Sequence, residues 1–202
     1  MTRLILIRHG ETKGNVEARR QGRNDEPLNA RGVAQAKRVG EYVKVAFDIA
    51  KVWSSPLQRA KRTAEMLAMP VSTSDLLIEI DYGEWEGMVG SEIEAKYPNR
   101  YQNGQLSIDP PGGESRSNLP VRGRQFLWES GLEEPGDQGD VVIVGHHSAL
   151  TGLLVALLDF PDYAMHNLVF DNCSVSTVEL GNGINRLTSL NYTDHLAELH
   201  EG

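Results

Sequence analysis

The 202-residue chain has a single cysteine, Cys173, so no disulfide can close within it, and this usage agrees with a reducing compartment. It has no apolar run near the roughly 20 residues that a bilayer span requires. Its opening, MTRLILIRHG, lacks the longer apolar stretch and small-residue cleavage site of a secretory signal. A cytoplasmic location without membrane contact is therefore expected. Basic surplus is also missing: the formal net charge of -8 argues against a nucleic-acid partner. No internal repeat, low-complexity tract or linker divides the sequence, and its length suits one domain spanning 1–202, with a polar tail from 194 onward expected to fray. The scattered histidines and acids form no recognisable metal-ligand set, so no metal is expected.

What is present is ordinary globular material, 40% hydrophobic and 24% charged, with one asymmetry. Residues 1–40 hold nine Lys/Arg against four Asp/Glu, a balance of +5, which leaves -13 for the remainder. A basic patch in an acidic protein suits a small anion. Periodicity alternates strand and helix. RLILIR (3–8) and DVVIVGHH (140–147) are continuous aliphatic runs, the pattern of strands covered on both faces. Helical spacing marks 28–46, with Asn29 as N-cap, and further helices are expected at 57–68, 90–99, 119–131 and 148–160. Shorter strands are expected in AKVWSSP (50–56), ended by its Ser-Ser-Pro, at the end of the chain around the turn GNG, and as an extended piece at 76–80. This alternation predicts an α/β three-layer sandwich whose mainly parallel central sheet is flanked by helices. Ligands in such sheets bind outside the carboxyl ends of the strands, where His9 and His146 fall.

Arg8-His9 puts a planar guanidinium fork, suited to phosphate oxygens, beside an imidazole that is nucleophilic near neutral pH. Taken alone, His9 reads first as a histidine that merely caps a strand end through a hydrogen bond. Its neighbours enrich the phosphate reading. Asn15 can donate to an anion, and Arg19, Arg20, Gln21, Gly22 and Arg23 share the following loop. Arg59 stands near the start of a helix, and Glu79 sits on a hydrophobic segment where burial would favour the protonated acid. Two histidines, two arginines, an asparagine and a carboxylate would make a phosphate pocket if they converge.

LIRHGET, Asn15, QG, LNARGVAQA, SSPLQRAKRTA, EIDYGEWEG, PPGGES and VVIVGHH, in this order, resemble the histidine phosphatase superfamily, the phosphoglycerate-mutase-like family, over roughly residues 3–190. The resemblance implies that His9 takes the phosphoryl group as phosphohistidine, that Arg8, Arg59 and Asn15 clamp the phosphate, and that His146 binds it and stabilises the transition state. Glu79 matches the proton donor to the leaving oxygen; Glu84 and Glu86 are read as solvated loop residues. No cofactor is implied. His147 replaces the glycine common in the family beside the second histidine. It could contact substrate or turn outward, and the outward orientation is preferred. Lys13, His166, His195 and His200 are read as exposed or structural, and Trp53, Trp85 and Trp128 as packing residues, with Trp85 the candidate for a pocket wall. The leading expectation is a phosphomonoesterase acting on small phosphorylated metabolites, for which a homodimer is compatible. A phosphoglycerate mutase is the runner-up. It is disfavoured because mutases of this family tend to carry a longer segment than the 66 residues between Glu79 and His146. A non-catalytic phosphate-binding module is disfavoured because it needs no proton donor. Specificity is expected in loops 19–24 and 103–118.

Overall fold

The computed structural model describes residues 2–98, 101–102, 105–106, 109–133, 136–181 and 183–199. In chain order the elements are β1 (Thr2–Arg8), α1 (Lys13–Val16), α2 (Ala30–Ala46), β2 (Ile49–Ser54), α3 (Gln58–Glu65), β3 (Val71–Thr73), α4 (Gly90–Lys96), β4 (Tyr101–Gln102), β5 (Gln105–Leu106), α5 (Asn118–Ser130), β6 (Asp140–Gly145), α6 (His147–Leu158), β7 (Val175–Leu180) and β8 (Arg186–Tyr192). Six strands form one sheet in the order β3-β2-β6-β1-β7-β8.

Along β1 the aliphatic residues alternate between two cores. Leu4 and Leu6 pack with Ile143, Phe126 and Leu150 under α5 and α6, whereas Ile5 and Ile7 pack with Val142, Val39 and Ala60 under α2 and α3. A strand whose successive side chains enter opposite hydrophobic layers has no polar face, which accounts for the unbroken run LILI. The helices on both faces agree with the expected layers, but the sheet is mixed. The pairs β3–β2, β2–β6 and β6–β1 are parallel, while β1–β7 and β7–β8 are antiparallel. β7 and β8 are separated by only five residues of sequence, and so short a connection can join only antiparallel neighbours.

Several local expectations shift. The piece expected to be extended at 76–80 instead starts with a 3-10 turn, Asp75–Leu77, because Ser74 Oγ accepts from the Leu76 N–H. The strand Val71–Thr73 was not anticipated; it pairs with Val52, Trp53 and Ser54. Asn29 caps α2 through its side chain to the Gly32 N–H, as expected. The tail does not fray through residue 199: Asp194–Leu199 forms a 3-10 turn whose Leu196 is buried in the α2/α3 core. Residues 200–202, including His200, lie outside the described residues.

Candidate active site

Because β1 and β6 are parallel neighbours in register, with Arg8 opposite Gly145, the chain leaves the sheet at two adjacent points. His9 and His146 therefore meet, their ring centroids 5.1 Å apart. His9 Nδ1 lies 2.7 Å from the Gly10 carbonyl oxygen. A carbonyl only accepts, so Nδ1 carries the proton and Nε2 keeps its lone pair. Burial pushes the His9 pKa well below its usual 6.5, and the charges of Arg8 and Arg59 push it further down, so the ring is neutral at pH 7. Asn172 Nδ2 donates to the His9 carbonyl at 2.9 Å, and Gly10 N–H donates to Thr63 Oγ1 at 3.1 Å, which ties the turn to α3. Only glycine fits at position 10, since a Cβ there would stand 2.5 Å from the Gly32 oxygen.

Arg59 is 1% exposed and held at three points: Nε donates to His146 Nδ1 at 3.2 Å, and its terminal nitrogens donate to the carbonyls of Asn24 and Gly22 at 2.6 and 2.8 Å, which leaves one N–H on each terminal nitrogen. The Arg59 bond makes His146 Nδ1 an acceptor, so Nε2 donates to Ser55 Oγ at 2.8 Å. Burial, then the charge of Arg59, holds the His146 pKa well below the usual value. His146 has 0% exposure and lies behind the cleft wall formed by His9 and Arg59. Arg8 extends into the cleft, donating once to the Phe170 carbonyl at 2.6 Å.

Glu79 is brought to the same cleft, 8% exposed. It is buried, as anticipated from its hydrophobic segment, but its carboxyl is held by backbone donors. Oε1 accepts from the N–H groups of Ile80 and Ala149 at 2.8 and 3.2 Å, and Oε2 from that of Ser148 at 3.3 Å. The last two are first-turn donors of α6, so the helix start fixes the carboxyl. Asn15 lines the cleft with its Oδ1 occupied by Thr12 N–H at 3.1 Å and Asn172 Nδ2 at 3.2 Å, which leaves its NH2 as the donor end. Gln21, held by the Thr12 hydroxyl at 2.8 Å, and Gly22, at φ +53°, complete that side.

All nine sequence-identified residues converge around a cleft of about 450 Å³, eight on its wall and His146 directly behind. His147 is among the eight, contrary to the outward preference: as the first residue of α6 it points its ring into the cleft, where it shares the Phe170 carbonyl with Arg8. Glu84 is exposed and takes the Tyr97 hydroxyl, and Glu86 accepts the Arg23 N–H at 2.7 Å, both as loop residues. Trp85 is fully buried in the core and forms no part of the cleft wall, and Trp128 is 69% exposed instead of packed. Lys13 and His166 are exposed, as expected; His195 stacks on Tyr42 and donates to the Cys173 carbonyl at 3.0 Å. Ser55, Thr63 and Asn172, which hold these side chains and turns, went unread because each acts through long-range contacts that no local pattern announces. Of the second expected specificity loop, 103–104 and 107–108 lie outside the described residues.

Relatives share this arrangement's chain and fold. The chain is 33% identical over 208 residues to phosphoserine phosphatase 1 of Hydrogenobacter thermophilus, covering 99% of this chain and 97% of that protein. It is 37% identical over 187 residues to a probable phosphoglycerate mutase, GpmB, of Salmonella choleraesuis, with 89% and 85% covered. A phosphoserine phosphatase mutant of Entamoeba histolytica, solved with phosphoserine, superposes with a TM-score of 0.83 at 31% identity, covering 97% and 100% of the two chains. The profile of the histidine phosphatase superfamily (branch 1) matches residues 4–193. With that match over nearly the whole length, the chain belongs to the histidine phosphatase superfamily.

Proposed function

We propose that the protein is a phosphomonoesterase that hydrolyses small phosphorylated metabolites through a phosphohistidine on His9. The observation that carries this reading is the tautomer of His9, whose Nδ1–H is spent on the Gly10 carbonyl so that a neutral Nε2 lone pair faces the cleft. In the first step Nε2 forms a bond to phosphorus, the phosphorus–oxygen ester bond breaks, and Glu79 gives a proton to the departing oxygen. In the second, water attacks phosphorus, the nitrogen–phosphorus bond breaks, and Glu79 takes the proton back as inorganic phosphate leaves.

Arg8, Arg59 and the Asn15 amide meet the charge on the phosphoryl oxygens, a role fixed donors fill without reorganisation. His146 stabilises the phosphoryl group through Arg59, whose Nε–H its Nδ1 accepts, while its Nε2–H stays on Ser55. Gln21, Gly22 and His147 shape the substrate side. No metal or cofactor takes part in this scheme. The low His9 pKa keeps the nucleophile neutral under mildly acidic conditions, which suits an acid-type phosphatase. We further propose a cytoplasmic location, in keeping with the single cysteine, and a homodimer is compatible with this reading.

A mutase is the second reading, favoured by the 37% identity to GpmB. Assay of phosphate release from a panel of phosphomonoesters, with His9→Ala as control, decides between them. Phosphate release that disappears in the variant supports the phosphatase. Interconversion of phosphoglycerates with little phosphate release supports the mutase, and normal turnover by His9→Ala contradicts both.

A further inference from the structure

Two buried arginine nitrogens have no hydrogen-bond partner among the described residues, Arg8 Nε and Arg20 Nε, and both arginines line the cleft. Proteins leave few buried donors unpaired; each Nε is shielded, so the terminal nitrogens of the guanidinium are what the cleft presents to a ligand. The phosphoryl group accounts for Arg8. Nothing in the proposed chemistry accounts for Arg20.

The neighbouring cations are already neutralised. Arg19 pairs with Glu17 at 2.7 Å and Glu92 at 3.7 Å, and Arg23 with Asp81 at 3.4 Å and Glu114 at 3.7 Å. Arg20 has no carboxylate within ion-pair distance among the described residues. Its guanidinium carbon instead stands 5.8 Å from the centre of the Tyr82 ring, another cleft residue. The backbone of Arg20 is pinned on both sides to the opposite wall, its N–H donating to the Met88 carbonyl at 2.9 Å and its carbonyl accepting the Gly87 N–H at 2.8 Å. A fixed backbone and a ring beneath the guanidinium limit where the side chain can go. With Arg8 and Arg59 facing a phosphoryl dianion, and Arg19, also on the wall, paired with Glu17 and Glu92, Arg20 is the wall arginine left without a carboxylate partner among the described residues, in a cleft whose lining holds one carboxylate, Glu79.

We infer that Arg20 is a specificity-determining residue that binds a second anionic group, a carboxylate or a phosphate, on the alcohol portion of the substrate. This rests on the phosphomonoesterase reading. A guanidinium fork offers two parallel N–H donors to either anion, and a neutral hydroxyl gains less from it. The preferred substrates are thus phosphomonoesters that carry an anion besides the one transferred.

The test is kcat/KM for matched pairs: phosphoglycerate against glycerol phosphate for a carboxylate, and fructose bisphosphate against fructose monophosphate for a phosphate. Wild-type protein is compared with Arg20→Met, which keeps the length over Tyr82, and Arg20→Lys, which keeps the charge. A Tm within a few degrees of wild type establishes that each variant folds. Arg20→Met is expected to lower kcat/KM about 10- to 100-fold for the member bearing the second anion, the range of a charge-assisted hydrogen bond, and to leave the other within about twofold. Arg20→Lys should restore part of the loss. Loss on the first pair identifies a carboxylate, and loss on the second a phosphate. An equal fall on all four substrates would assign Arg20 to the transferred phosphoryl group and overturn the inference, as would no change on any. If wild-type protein releases phosphate from none of them, the phosphomonoesterase reading itself is what fails.

Discussion

At the scale of single residues the site depends on proton placement. A histidine bonded through Nδ1–H to a carbonyl presents Nε2 without needing a base to deprotonate it, and burial beside two guanidinium groups keeps it neutral. Protonation would remove the nucleophile. Since the His9 pKa is lowered well below 6.5, its protonation limb in a plot of kcat/KM against pH should fall clearly on the acid side of 6.5. A limb at or above 6.5 that vanishes in a His9 variant would contradict this. Glu79→Gln removes the proposed proton donor while leaving an amide that can still accept through one oxygen. It should lower kcat about 10²- to 10⁴-fold for alkyl phosphates and much less for nitrophenyl phosphate, whose leaving group needs no proton. Equal losses on both would remove Glu79 from that role. Arg8, His9, Arg59 and His146 were legible because strand ends and a helix start are visible in a sequence, and topology then carries those points together. The His147 orientation was not legible, since the sense in which a helix's first side chain points depends on the packing of α6.

Elements supply what residues cannot do alone. Glu79 stands outside any strand or helix, and Arg122 of α5 holds the approach to it. Its terminal nitrogen donates to the carbonyls of Leu76 and Ile78 at 2.9 Å each, while Nε and the other terminal nitrogen bond Glu114 at 2.7 and 3.1 Å. Side-chain exposures of 16% and 9% make this a largely desolvated ion pair. Arg122→Met leaves Glu114 with Arg23, at 3.7 Å, as its one cation among the described residues, and two carbonyls without their donor, so it should cost about 2 kcal/mol of stability, read as a lower Tm. It should also lower kcat, because the segment carrying Glu79 is freed. Unchanged kcat would show that α5 does not position the acid. Nothing local in the sequence signals this link across 46 residues between Leu76 and Arg122. The same limit explains the 3-10 turn at Asp75–Leu77, where one serine cap overrode an apolar run that suited an extended chain. The mixed sheet is the corresponding case for strands: the aliphatic pattern of β1 and β6 identified a two-sided sheet, but pairing direction at β7 is decided by connections the pattern does not encode.

For the whole molecule, two buried histidines with depressed pKa values make folding depend on pH. Unfolded histidine titrates near 6.5. Below that pH the unfolded chain binds protons that the folded His9 and His146 refuse, so stability is full above about 6.5 and falls as pH drops from there toward the lower folded values. Urea denaturation should show this decline, and a His9→Gln/His146→Gln double variant should flatten it; an unflattened slope would place the responsible groups elsewhere. The central claim is that phosphate passes through His9. Rapid acid-free quenching of wild-type protein during turnover of a phosphomonoester, followed by mass analysis of the peptides, tests it most directly. The account predicts one added phosphoryl group, labile to acid and stable to base, on the peptide containing His9, and its absence from His9→Ala. A phosphoenzyme mapped to any other residue, or steady turnover by His9→Ala, would contradict it.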